Sequence, residues 1–212
     1  MSFCAITPTR GDRPELLEFC KHQVSRMNLK PDKHYIIDYP PKDATKDLVP
    51  RLLEGIRRAQ KDGFDYAFVI EDDDAYPSDY FEKMYHPKYD IVGDDYTMYY
   101  HISNNGYHEQ NHPHRASLFT TGFRISSLAK IALPMGSVFA DIEIWNYAKR
   151  NRLLRKFVNS GAVGIKHGIG VVGGIGHRQK YRKFDHDWSV LASKVDSDAL
   201  QFYKDLQRKL NG

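Results

Sequence analysis

Cysteine is almost absent from this chain: Cys4 and Cys20 are the only two in 212 residues. A single pair excludes the disulfide framework of a small secreted domain, and no zinc-type spacing exists. Cys4 falls in an apolar strand-like run and Cys20 on an apolar helical stripe, the ordinary places for small buried thiols. Long apolar runs are missing too. None approaches the roughly 20 residues that a membrane span requires, and the N-terminus carries no signal-peptide pattern. The expectation is a soluble protein without membrane insertion, placed in the cytoplasm, or in a host cytoplasm if viral. Internal repeats and low-complexity tracts are likewise missing, and 41% hydrophobic residues in a chain of this length suit one sizeable core, hence a single domain over 1–212.

Acidic residues are missing from one long stretch. Between Lys149 and Lys183 there are ten Lys or Arg and no Asp or Glu, which leaves −6 on the rest of a chain whose net charge is +4. Such asymmetry suits an anionic partner, whether nucleotide diphosphate, nucleic acid or acidic surface, and suits a solvated basic face equally well.

The periodicities alternate between strand and helix. Phe3–Thr7 reads as a strand, then comes the loop Pro8-Thr9-Arg10-Gly11-Asp12-Arg13. Pro14 stands where a helix tolerates proline, Asp12 and Glu15 have capping-box spacing, and Leu16, Cys20, Val24 and Met27 share one helical face. His34–Asp38 is a second strand ending in an acid. From Asp47, residues Leu48, Leu52, Ile56 and Ala59 form a second stripe that stops near Gly63. This βαβαβ order predicts a Rossmann-type sheet, mostly parallel with an antiparallel portion and with helices on both faces. Further on, Tyr89–His101 predicts one or two strands, Ser103–His114 a loop, Asp141–Lys156 a helix, Gly161–Gly176 a strand followed by a mobile loop, and Leu200, Tyr203, Leu206 and Leu210 a final amphipathic helix.

The third strand ends in four consecutive acids, Glu71-Asp72-Asp73-Asp74. Carboxylates packed this tightly repel one another and call for a cation, and ligands of open α/β sheets bind beyond the carboxyl ends of strands. A solvated acidic turn is the alternative. An EF-hand is excluded because the glycine its loop needs at the sixth position is Pro77.

Four segments together resemble the GT-A glycosyltransferases, most closely the family 2 type, over roughly residues 3–180. Ile6-Thr7-Pro8-Thr9-Arg10-Gly11-Asp12-Arg13-Pro14-Glu15-Leu16-Leu17 is similar to that family's opening strand, nucleotide loop and first helix, and Asp38 to its second-strand acid. Ile70–Tyr80 resembles the DxD region, and Ala140-Asp141-Ile142-Glu143-Ile144-Trp145 resembles the motif whose Asp is the catalytic base, with Ala140 where the family has Glu. The resemblance implies a metal-dependent, inverting transfer of a sugar from a nucleotide-sugar donor to a hydroxyl. It implies Asp141 as base, Mn²⁺ or Mg²⁺ on Asp73 and Asp74, and a metal-binding histidine, His167 or His177. Donor contacts implied are Thr7, Pro8, Thr9, Arg10, Arg13, Asp38, Glu71, Asp72 and Arg178. The DxD register stays open between Glu71-x-Asp73 and Asp72-x-Asp74, and Asp141 at a helix start also reads as a cap.

The acceptor is open as well. A small phage-type enzyme of DNA modification, acting on hydroxymethylated bases, and a glycan-directed transferase are the two expectations; a metal-dependent nucleotidyltransferase or phosphoesterase and a basic nucleic-acid binder are the rivals from other classes. Gly122 resembles a turn on the acceptor side, and Tyr96, Tyr99, Tyr100 and Tyr107 read either as an acceptor platform or as core.

Overall fold

A computed structural model describes residues 1–38, 47–135, 137, 139–168 and 183–212. The strands are β1 (Phe3–Pro8), β2 (Lys33–Ile37), β3 (Tyr66–Val69), β4 (Ile91–Asp94), β5 (Tyr96–His101), β6 (Gly106–Asn111), β7 (Thr121–Arg124), β8 (Arg155–Val158), β9 (Val163–Lys166) and β10 (Lys183–Phe184). The helices are α1 (Pro14–Arg26), α2 (Leu48–Lys61), α3 (Tyr80–Met84), α4 (Ile125–Leu128), α5 (Ala140–Arg150), α6 (Ser189–Ala192) and α7 (Ser197–Asn211).

The fold is α/β. Six strands form a mixed sheet in the order β2-β1-β3-β7-β4-β8. All its strands run one way except β7, which is antiparallel to both β3 and β4. Strand alternation assigns the faces, because successive side chains point to opposite sides. Cys4, Ile6, Ala67 and Val69 pack with Leu52 and Ile56 of α2 and Ile144 and Trp145 of α5. Phe3, Ala5, Tyr66 and Phe68 pack on the other side with Cys20 and Val24 of α1 and Phe81 and Met84 of α3. Helices therefore cover both faces, as the near-continuous apolar runs of β1 and β3 require. Each large side chain buried here contributes roughly 1.5–3 kcal/mol.

A second sheet, β10-β6-β5-β9, buries Met98, Tyr100 and Ile165 against Tyr203 and Leu206 of α7 and Leu191 of α6. An isolated bridge between Ala75 and Val163 joins the segment after β3 to β9. That bridge brings the acid run and His167 together.

Four expectations are corrected. Ser103–His114 is not all loop: Asn105, in the left-handed region at φ 55°, turns the chain into β6, which pairs antiparallel with β5. Its Gly, His and Asn content hides the strand. The helix expected over Asp141–Lys156 stops at Arg150, where Asn151 and Arg152 (φ 54°) leave helical geometry, and Arg155–Val158 is strand. No capping box forms at α1; Arg13 is the N-cap without a side-chain cap bond, and Asp12 pairs with Arg10 at 3.0 Å. Gly122 is no turn. It sits inside β7, where a Cβ would lie 2.4 Å from the Phe68 ring.

Candidate active site

The carboxyl ends of β1 and β3 are adjacent in the sheet, so the chain leaving each one meets the other. From β1 come buried Thr7, Pro8 and Thr9, then half-buried Arg10 and Arg13. Exposed Asp38 follows β2, with its carbonyl oxygen 3.6 Å from where a Gly11 Cβ would stand. Thr7 Oγ1 is 2.8 Å from His34 Nε2, which places it inside the sheet layer and not at the site's mouth.

Arg13 is the hub. Its guanidinium donates to Asp72 Oδ1 at 2.6 Å and to Asp73 Oδ2 at 2.8 Å, and it lies 3.2 Å from His167 Nε2. Thr9 Oγ1 donates to the other oxygen of Asp72 at 2.5 Å. His167 Nε2 stands 3.0 Å from Asp73 Oδ2. Three stretches of chain far apart in sequence thus share one cluster of side chains.

Asp74 faces elsewhere. Its Oδ1 accepts from the Ile165 backbone amide at 2.7 Å and lies 3.9 Å from Lys166 Nζ, while its Oδ2 is buried with no hydrogen-bond partner among the described residues. The carboxylate is fully buried and ties the acid run to β9. Gln23 of α1 completes this anchorage by donating to the Asp74 carbonyl at 3.1 Å and accepting from the Tyr76 amide at 3.0 Å.

The four acids titrate differently because their partners differ. Burial and then the Asp73 charge push Glu71 up to about 7, with Lys166 opposing. Burial and Asp73 also raise Asp72, against Arg13 and the Thr9 hydroxyl. Burial acts upward on Asp73 as well, but Arg13, the neighbouring His167 and Lys166 outweigh it and hold Asp73 well below the usual carboxylate range. Asp74 is raised well above that range by burial despite Lys166.

Asp141 lies at the second position of α5, in the first helical turn, and Phe139 is the N-cap. Its carboxylate is paired with Arg115. Burial raises Asp141, and Arg115 with the Ile142 and Asp141 amides opposes the rise. Asp141 is close enough for its charge to help raise both Glu71 and Tyr99. Glu143, half-buried, belongs to the same helical turn.

The sequence reading missed Arg115, Lys166 and Gln23 as site residues. Arg115 lies in an unpatterned segment and has no local signal; Lys166 was hidden among the basic residues but immediately precedes His167. Lys166 is no part of a solvated basic face, since it is buried beside Asp74. Lys183 is exposed and paired with Glu109 at 3.0 Å. His177 and Arg178 fall outside the described residues. Tyr99 and Tyr100 are core, whereas Tyr96 is exposed. Burial raises the Cys4 thiol to about 12 and Cys20 higher still, so neither is a nucleophile at neutral pH.

Among the described residues, no group of three or more His, Cys, Asp or Glu side chains is arranged to hold a metal ion, and no helix is long and apolar enough to cross a membrane. No family model matches the chain, and no curated protein matches it significantly.

Proposed function

We propose that the chain is a metal-dependent, inverting glycosyltransferase of GT-A type, moving a sugar from a nucleotide-sugar donor to a hydroxyl acceptor. One observation carries this reading: Thr9, Arg13, Asp72, Asp73 and His167 meet beyond the carboxyl ends of β1 and β3, within electrostatic reach of the Asp141 side of the site. Acids for a cation, a loop and an arginine for a diphosphate, and a separate half-buried carboxylate for a proton are the parts that such a transfer needs.

The residues present fit a divalent ion in a particular way. Asp73 Oδ2 and His167 Nε2 are 3.0 Å apart. Adjacent ligands of an octahedral ion bound at ~2.1 Å are separated by about the same distance, and Mg²⁺-like ions take most of their remaining ligands from phosphate and water. Asp74 does not join them, since its carboxylate is committed to Ile165 and Lys166. This favours the Glu71-x-Asp73 register, with Asp73 and His167 as the protein ligands. When bound, the ion stabilises the charge of the departing diphosphate as a Lewis acid.

The chain's own groups do the rest. Arg13 and Arg10 supply positive charge to the diphosphate, with Arg178 a further donor contact in this reading. Thr9 shapes the loop under the nucleotide, Thr7 and Pro8 support it from the end of β1, and Asp38, Glu71 and Asp72 offer acceptors to its base and ribose. Asp141 takes the proton of the acceptor hydroxyl while that oxygen bonds to the anomeric carbon and the bond from this carbon to the diphosphate oxygen breaks. Attack from the face opposite the leaving group inverts the centre. Arg115 opposes the effect of burial on Asp141 and so keeps more of it ionised.

The test is incubation with a panel of nucleotide sugars and Mn²⁺, following nucleoside diphosphate release without acceptor. Slow release that stops with chelator is expected; pyrophosphate release from nucleoside triphosphates, with none from nucleotide sugars, would replace the reading by a nucleotidyltransferase. For the acceptor, we propose a hydroxymethylated DNA base, on the strength of the basic segment. Duplex DNA containing 5-hydroxymethylcytosine should gain a hexose or pentose mass that a cytosine duplex does not. Transfer to a glycan alone would leave the enzyme class standing and remove DNA.

A further inference from the structure

Asp73 Oδ2, His167 Nε2 and one nitrogen of the Arg13 guanidinium form a triangle with sides of 2.8, 3.0 and 3.2 Å. The second terminal nitrogen holds Asp72 at 2.6 Å. A guanidinium has five N–H donors and no acceptor, so the arginine nitrogen presents hydrogens to both neighbours. The imidazole nitrogen it approaches has one lone pair, and that lone pair is also what a metal ion would use. The Asp73 oxygen likewise accepts from this guanidinium nitrogen along a direction that a metal ion would use. Arg13 is held there from its own side too, as the N-cap residue of α1 with its side chain mostly buried.

Resting on the metal-dependent reading above, we infer that Arg13 is a built-in counter-cation that competes with the divalent ion for Asp73 and His167. In the absence of metal its guanidinium satisfies both side chains and Asp72. When a divalent ion takes Asp73 and His167, Arg13 loses those two contacts. It is freed at the place where the diphosphate of an incoming donor brings negative charge. Metal and donor are thereby coupled: the donor's phosphates give the displaced guanidinium a new partner, so metal binds the protein weakly alone and more tightly with a nucleoside diphosphate present. An acid run closed by a resident arginine also keeps its shape while it waits for the ion, which four acids without a counter-charge would not do.

The experiment titrates Mn²⁺ alone into the full chain by calorimetry, comparing wild type, Arg13→Gln and Asp73→Asn, and repeats the titration with uridine diphosphate as the probe. Charge-assisted hydrogen bonds contribute roughly 1.5–3 kcal/mol each. Arg13→Gln should therefore bind Mn²⁺ on the order of 10-fold or more tightly than wild type without nucleotide, and should lose most of the strengthening that the diphosphate confers on wild type. Asp73→Asn should bind Mn²⁺ poorly in both conditions. Equal or weaker Mn²⁺ binding by Arg13→Gln, with Asp73→Asn still defective, would overturn the competition and leave the metal site intact. Mn²⁺ binding by Asp73→Asn as tight as wild type would overturn the metal reading itself, and the competition with it. Should Arg13→Gln not fold, Arg13→Lys serves: an ammonium cannot span Asp72 and Asp73 as a planar fork does, so Mn²⁺ binding tighter than wild type supports the competition and unchanged binding refutes it.

Discussion

Asp73 and Asp74 are neighbours in sequence, yet they belong to two different structures. Asp73 is met by side chains, Arg13 and His167, and is held ionised. Asp74 is met by the Ile165 backbone amide and a buried lysine, and is raised well above the ordinary carboxylate range. Side chains can rotate away and exchange one partner for another; a strand amide cannot. The first aspartate thus sits among side chains that can exchange partners, and the second fastens the acid run to β9. A run of like residues need not be a run of like roles.

The sharpest way to break this contrast is on the Asp73 side. Asp73→Ala should reduce donor turnover by on the order of 10³-fold or more, the several kcal/mol that a Lewis acid supplies, with little loss of stability. Near-normal turnover by this variant in the presence of chelator would remove the metal mechanism. Across the site, Asp141→Asn should keep donor binding and lose transfer by on the order of 10²–10⁴, because the amide preserves shape and cannot accept the proton. Unchanged transfer together with a lower melting temperature would make Asp141 a helix-terminus residue only.

On the Asp74 side the effect should appear in stability. Asp74→Ala leaves the buried Ile165 amide without its acceptor and should cost roughly 1–3 kcal/mol in urea unfolding. Asp73→Ala should cost visibly less, and the reverse order would collapse the distinction between the two aspartates.

A third strand-end aspartate supplies the reference. Asp94, buried at the end of β4, accepts from the Ser160 amide and hydroxyl, and burial raises it to about 6. Its folded value lies above its unfolded one, near 4. Its contribution to stability is therefore complete below about pH 4 and is lost as pH rises through 6. Asp94→Asn should flatten that dependence by on the order of 2 kcal/mol between pH 4.5 and 7.5, read from urea midpoints of the two proteins at both pH values. An unaltered profile would mean that Asp94 is ionised in the fold at no cost.

The order β1-α1-β2-α2-β3 was legible because each element has a clean period and a boundary signal, such as Pro14 at the start of α1 and Gly63, at φ 81°, after α2. The acid run was legible as a cluster but not as two halves. Nothing local distinguishes Asp73 from Asp74; the difference arises when β9, some 90 residues later, docks beside one of them. The β6 strand was invisible because its stability comes from pairing with β5 and β10 and not from apolar alternation. Arg115 was invisible for a similar reason, since its role exists only through Asp141, 26 residues away.

Arg13 and His167 are 154 residues apart in the chain. Contacts of such separation are expensive in loop-closure entropy and form late in folding. During refolding the β1, β2 and β3 segments can pair while the acids at the end of β3 still await both β9 and the histidine that follows it. The site is therefore complete only when the β1–α1 unit, the end of β3 and the segment after β9 have all docked, so its integrity reports on the tertiary structure of the chain and not on any one segment.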